Sequence, residues 1–278
     1  MGKRALGTLF VVLIVASAAW VRTRHDAAPV VVARAVAAEV PTTTAPPTTT
    51  PPPPPSSIAR ASRAVVPRAP LPPATPALTG PFWVAAATGN VINVHSAPDG
   101  PVVEQVKGVT EAATTTVLLV RDRVDDNWIE AYLPTRPNSH TGFINASEVS
   151  LSTVDTQIKV ELGYHRLTAW AGDRLIAQEP VAIGTAASPT PTGIFYLAML
   201  FRSPNPSGAY GPYVFGLSAH SNVYEKFGGG DGMVGVHGTN QPGLIGRSVS
   251  HGCIRMYNAS ITKLVGMLPI GTPIVITG

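Results

Sequence analysis

Residues 41–55 read PTTTAPPTTTPPPPP, a run built only of Pro, Thr and Ala, and a segment of that composition cannot form a core. Proline fixes φ and lacks an N–H, so the run favours extended polyproline II and acts as a spacer of roughly 45 Å at ~3.1 Å per residue. Half of the 28 prolines fall before residue 81. Residues 25–80 are therefore expected to be a disordered Pro/Thr-rich stalk, and the globular elements must lie after it. In front of the stalk, Lys3-Arg4 precede the apolar stretch ALGTLFVVLIVASAAWV (5–21), which Arg22 and Arg24 close. A basic start and a short apolar stretch fit a secretory signal peptide or a membrane anchor over residues 1–24. Either way the body is expected outside the cytoplasm, in the cell envelope, secreted or membrane-anchored, with membrane contact only through that segment.

Charge divides the chain at the same place. Eight of the 20 Lys/Arg but only two of the 16 Asp/Glu lie in residues 1–80, leaving twelve bases against fourteen acids in the rest. The high pI thus belongs to the leader and stalk. A near-neutral folded part excludes the basic face that nucleic-acid binding requires.

From Phe82 onward the pattern is that of short strands. VINVHSAPDG (91–100) alternates into a Pro-Asp-Gly turn, ATTTVLLVRDRVDDNWIEAYL (113–133) alternates again, and HTGFINASEV (140–149) reads as a closing strand. Several strands within about 70 residues suggest a small barrel. Residues 81–150 resemble a bacterial SH3-like domain in Asn93-Val94 with Ala97-Pro98, in Trp128, and in Gly142-Phe143-Ile144; His95 stands where that family usually has Arg, and Asn127 where it has Gly. His95, His140 and Trp128 have no chemically useful neighbours in sequence and read as barrel or surface residues.

A second β-rich unit starts at QIKVELGYHRLTAW (157–170) and continues through SPTPTGIFYLAML (188–200). Residues 202–232, rich in Gly, Pro, Ser, Asn and Tyr with little periodicity, read as a wall or lid over a site. DGMVGVHGTN (231–240) returns to strand. NASITKLVGML (258–268) predicts one short helix capped by Asn258 or Ser260, and GTPIVITG a final strand. The fold class expected is mainly β.

Cys253 is the only cysteine in the chain, so no intramolecular disulfide can use it; in an exported chain such a thiol is reactive, intermolecularly linked or buried and inert. It sits in SVSHGCIRM (248–256), sixteen residues after His237. A thiol is a useful nucleophile as thiolate, which a neighbouring histidine can generate. Gly252 lets a substrate approach the backbone closely, so amide N–H groups there can face a developing oxyanion. Arg255, two residues beyond Cys253, shares its side of an extended segment and can pair with a substrate carboxylate. Together these parts describe acyl transfer through a thioester. The bland readings are an inert buried cysteine, a structural salt bridge for Arg255, and zinc held by His237, His251 and Cys253, for which no fourth ligand is evident. His165 and His220 read as surface or loop residues, although His220 could line a pocket, as could Tyr210, Tyr213 and Tyr224.

The stretch HGTNQPGLIGRSVSHGCIR (237–255), with QIKVELGYHRLTAW and PTPTG before it, resembles the L,D-transpeptidase (YkuD-type) catalytic domain of bacterial cell-wall enzymes over roughly residues 155–278. The resemblance implies a β-rich catalytic domain with Cys253 as nucleophile and His237 as general base, oriented by the backbone carbonyl of Gly238. It implies an oxyanion site of His251 and the amides of Gly252 and Cys253, and a pocket supported by Ser250 and Arg255. The substrates would be peptidoglycan stem peptides, joined by 3→3 cross-links, with carbapenem-type inhibitors expected to acylate Cys253 and no metal or organic cofactor required. Rival readings are an L,D-carboxypeptidase that uses water as acceptor, a papain-like cell-wall endopeptidase, which places cysteine before histidine, and a non-catalytic cell-wall-binding protein.

Overall fold

Strand-forming sequence dominates the architecture because apolar residues recur at alternate positions, or continuously where both faces are covered. The computed structural model describes residues 73–226 and 230–278; the leader 1–24 and the stalk up to residue 72 lie outside the described residues. Seven strands come first: β1 Phe82–Ala87, β2 Val91–His95, β3 Val102–Lys107, β4 Val117–Arg123, β5 Trp128–Tyr132, β6 Thr141–Asn145 and β7 Val149–Val154. They form one antiparallel sheet in the order β3-β2-β6-β5-β4-β1-β7. In β2, Ile92 and Val94 are buried while their neighbours are not, the alternation of a sheet with one covered face.

The second set comprises β8 Thr156–Glu161, β9 Arg166–Ala171, β10 Arg174–Pro180, β11 Ile183–Gly184, β12 Gly193–Arg202, β13 Tyr213–His220, β14 Met233–His237, β15 Ser248–Ser250, β16 Ile254–Arg255, the helix α1 Asn258–Val265 and β17 Pro273–Thr277. Eight of these strands build a mixed sheet in the order β10-β9-β8-β17-β12-β13-β14-β16, and β11 pairs with β15 in a small parallel one. The mixed sheet is parallel at β8–β17 and β14–β16.

Side-chain alternation decides what the two faces of β12, β13 and β14 do. Phe195, Leu197, Phe215, Leu217, Val234, Val236 and Ile254 enter one core with Ile261 and Leu264 of α1. The intervening positions, among them Tyr196, Ala198, Met233, Gly235 and His237, lie on the other face. Tyr196 and Ala198 enter the core of the first sheet beside Leu118, Ile129 and Ile144, so the two sheets share buried surface and belong to one compact unit, Val66–Gly278. Close packing at the junction is visible at Gly271, where a side chain would press into Val84 and Val117.

Three expectations need correcting. Residues 202–232 are not loop throughout, since β13 occupies Tyr213–His220 with five consecutive buried residues from Phe215 to Ala219; covering both faces removed the periodicity. α1 has no side-chain cap from Asn258 or Ser260, because Asn258 Oδ1 accepts from Thr239 N at 2.7 Å and Ser260 Oγ donates to Glu179 at 2.8 Å. The end of the expected stalk is tied down: the amides of Ala77 and Leu78 both donate to Gln157 Oε1, at 3.1 and 3.0 Å.

Phe195 is fully buried in the α1-side core. Phe195→Ala should lower unfolding free energy by about 3–5 kcal/mol in denaturant titration, whereas Val103→Ala, at an exposed position, should change it by less than about 0.5 kcal/mol. Equal effects would contradict this placement of the core.

Candidate active site

β14 and β16 run parallel with Val236 opposite Ile254 and His237 opposite Arg255. Val236 and Ile254 point into the core, so His237 and Arg255 stand together on the opposite face, and Gly235 and Cys253 come next to them in the same register. The Gly235 amide donates to Cys253 Sγ at 3.4 Å, and Met256 N donates to His237 O at 2.9 Å, locking the strand end.

His237 is buried, and its Nδ1 lies 2.6 Å from Gly238 O. A carbonyl can only accept, so Nδ1 carries the proton and Nε2 keeps the lone pair that can accept one. Burial pushes the imidazole down to about 4; the Gly238 carbonyl opposes this and the Arg255 guanidinium reinforces it. Burial also pushes the Cys253 thiol up, against the pull of the Gly235 amide and of Arg255. The resting pair is thus a neutral thiol and a neutral imidazole.

The turn at 250–253 is held from below. Ser250 Oγ donates to Cys253 O at 2.6 Å and accepts from Gly252 N at 3.1 Å. Thr190 Oγ1 donates to Gly252 O at 2.9 Å and accepts from Gly184 N, also at 2.9 Å. Gly252 has φ of 120°, a conformation that disfavours any side chain. Its amide, expected to face an oxyanion, is instead taken up by Ser250. Ser250 therefore supports the cysteine turn from a buried position. Arg255 Nε is buried without a hydrogen-bond partner, a cation with donor capacity to spare. His251 is exposed, with its ring 5.9 Å from that of Tyr224.

Tyr210 is brought in by a feature no motif marks. Asn258 Oδ1 sits so close to Gly238 and Gly211 that a side chain at either glycine would collide with it. The 210–212 segment thereby lies on the end of β14, and the Tyr210 ring comes within 4.8 Å of the His237 ring. Burial and Cys253 both push the Tyr210 phenol up while Arg255 draws it down, so all four groups share one electrostatic neighbourhood. Elsewhere, His220 is buried and its Nε2 meets Asp231 Oδ2 at 2.9 Å. His165 Nε2 meets Ser248 Oγ at 3.0 Å, and Tyr213 packs on the α1-side core. His95 has company after all, the Trp128 ring at 4.9 Å and Gly100 O at 2.7 Å from its Nδ1. Among the described residues no group of three or more His, Cys, Asp or Glu is placed to hold a metal.

A family model for the L,D-transpeptidase catalytic domain, YkuD, matches residues 155–276. A curated Bacillus licheniformis relative, provisionally named L,D-transpeptidase YkuD, is 33% identical over 155 residues, covering 53% of this chain and 86% of its own. The chain belongs to the YkuD family of L,D-transpeptidases. A second YkuD, of Bacillus subtilis, is 36% identical over 124 residues, covering 45% of this chain and 67% of its own. Among solved structures, a mutant of the Enterococcus faecium L,D-transpeptidase is 22% identical at a TM-score of 0.33, covering 44% of this chain and 50% of that one. That overlap is too small to bear on the geometry of this YkuD-family chain.

The neutral thiol–imidazole pair fixes a pH dependence. An imidazole lowered to about 4 stays neutral, and able to accept a proton, at any pH above that value. A raised thiol forms free thiolate only above the ordinary range. Alkylation of Cys253 by iodoacetamide in the free protein should therefore keep accelerating past pH ~8.5, the usual thiol value. A plateau below pH 8 would reveal a resting thiolate–imidazolium pair and refute this reading.

Proposed function

We propose that the chain is a cell-envelope L,D-transpeptidase that forms 3→3 cross-links between peptidoglycan stem peptides through a thioester on Cys253. One observation supports the chemistry above the others: the β14–β16 register sets Cys253, His237 and Arg255 on one face, with His237 Nδ1 engaged by Gly238 O.

In this reading Cys253 Sγ attacks the carbonyl of the third residue of a donor tetrapeptide stem, and its proton passes to His237 Nε2. The tetrahedral oxyanion is met by the Cys253 amide and the His251 ring, since the Gly252 amide is engaged by Ser250. Collapse breaks the peptide bond, and the terminal D-alanine amine leaves with the proton from His237. The thioester is then attacked by a side-chain amine of a second stem, whose proton returns through His237 to sulfur as the new amide forms. Arg255, with its unpartnered Nε, binds a stem carboxylate. A carbapenem would enter at the first step and stop at the acyl-enzyme. The first sheet plays the part of a bacterial SH3-like domain that binds wall or orients the catalytic face. The leader and stalk place the site within the wall.

Incubation with purified muropeptides and mass analysis tests this directly. The expected product is a dimer linked 3→3, formed with loss of alanine. Cys253→Ala should give no dimer, and His237→Ala should be slower by about 10²–10⁴-fold, the range of a lost general base. Trimmed tripeptide without dimer would make the enzyme a carboxypeptidase, and wall binding without turnover would make it a non-catalytic binder.

A further inference from the structure

The loop between β5 and β6 belongs to the first sheet, yet its polar side chains are spent on the catalytic one. Arg136 Nη1 donates to Asp231 O at 2.9 Å, and Nη2 donates to Ser221 O at 3.1 Å and Tyr224 O at 3.0 Å. Asn138 brackets the end of β13: its Oδ1 accepts from His220 N at 2.8 Å, and its Nδ2 donates to His220 O at 2.7 Å and to Asn222 Oδ1 at 3.0 Å. Arg136 and Asn138 thus make six hydrogen bonds to the last residue of β13 and the chain that follows it.

Most of these bonds end on main-chain atoms, so they fix a backbone path whatever side chains line it. Along that path Ser221 Oγ accepts from the amides of Val223 and Tyr224 at 3.2 and 3.0 Å, and Ser221 N donates to Gly232 O at 2.8 Å. Gly232 approaches Tyr224 O so closely that a side chain there would collide with it. Tyr224 is consequently held at both its ends. Its ring lies against that of His251, two residues from Cys253. Arg136 is itself exposed and sits outside both apolar cores, so core packing does not account for its placement.

We infer that Arg136 and Asn138 are positioning residues for the substrate site: the first sheet uses them to hold the 221–224 turn so that Tyr224 stands against His251 beside Cys253. The inference rests on the transpeptidase reading of the site. It makes the loop between β5 and β6 part of the catalytic apparatus, acting through Tyr224 and without itself touching substrate. The planar guanidinium is required because it serves three carbonyls at once, which a point-like ammonium cannot do in fixed directions.

The test compares Arg136→Ala, Arg136→Lys, Asn138→Ala, Tyr224→Ala and the Arg136→Ala/Tyr224→Ala double variant in the full chain. Three quantities are read: the His251 ring resonances by NMR, KM and kcat for donor-stem thioester formation, and the rate of Cys253 alkylation by iodoacetamide. Arg136→Ala and Asn138→Ala should each move the His251 resonances toward those of Tyr224→Ala. Because His251 meets the oxyanion, each should also lower kcat about tenfold while changing KM and alkylation less than twofold, and Arg136→Lys should recover only part of the loss. Because Arg136 acts through Tyr224, the double variant should be no worse than Tyr224→Ala alone. Wild-type kcat and His251 resonances in both Arg136→Ala and Asn138→Ala, or additive losses in the double variant, would overturn the inference. A wild-type chain that forms no thioester would sink the transpeptidase reading alone, since the His251 resonances would still report whether Arg136 and Asn138 position Tyr224.

Discussion

The two-residue parallel pairing of β16 on β14 is the contact on which the site depends. Its register sets His237 opposite Arg255 and Val236 opposite Ile254. Strand side chains alternate with period two, so a slip of one residue would turn Ile254 out to solvent and drive Arg255 into the apolar core. Burying Ile254 with Val236, Phe215 and Leu264 therefore orients the chemical groups on the opposite face. Such a short strand has little pairing energy of its own. It is held by bonds outside the ladder, between Arg255 and Ala182 in both directions at 2.8 Å and from Met256 N to His237 O.

The same face of the mixed sheet serves two purposes. At β12 it carries Tyr196 and Ala198, which complete the core of the first sheet; at β14 it carries Met233, Gly235 and His237. A sheet face too broad to be left in water is thus divided between a packed neighbour and an open site, which sets the edge of the first sheet close to the chemistry. The β5–β6 loop reaches the chain after His220 for this reason. In a chain whose two β-rich parts were merely tethered, Asn138 could not bond both backbone atoms of His220.

The candidate site residues could be read from the sequence because they lie within one nineteen-residue stretch, His237 to Arg255, and because strand alternation relates Cys253 to Arg255. The mainly β class followed from period-two patterns in segments such as VINVH. What stayed hidden depends on contacts between distant segments. Tyr210 reaches His237 only because Asn258, from the start of α1, leaves room for nothing but glycine at 211 and 238. Asn258 looked like a cap, and its side chain bonds Thr239 instead. β13 escaped notice because it is covered on both faces, and the engagement of the Gly252 amide by Ser250 depends on a φ that no residue pattern reveals.

Burial also decides how the thiol can react. It is the leading influence on both His237 and Cys253, and in each it opposes the charged form. Arg255 favours thiolate but disfavours imidazolium, so for proton transfer between the two its influences work against each other. Desolvation is left as the net effect, and it opposes a standing ion pair. The Gly235 amide gives sulfur a single weak N–H···S bond at 3.4 Å, an influence smaller than that of burial. In the proposed reaction this balance favours a proton that leaves sulfur as the bond to carbon forms, when negative charge passes to an oxygen that donors can meet.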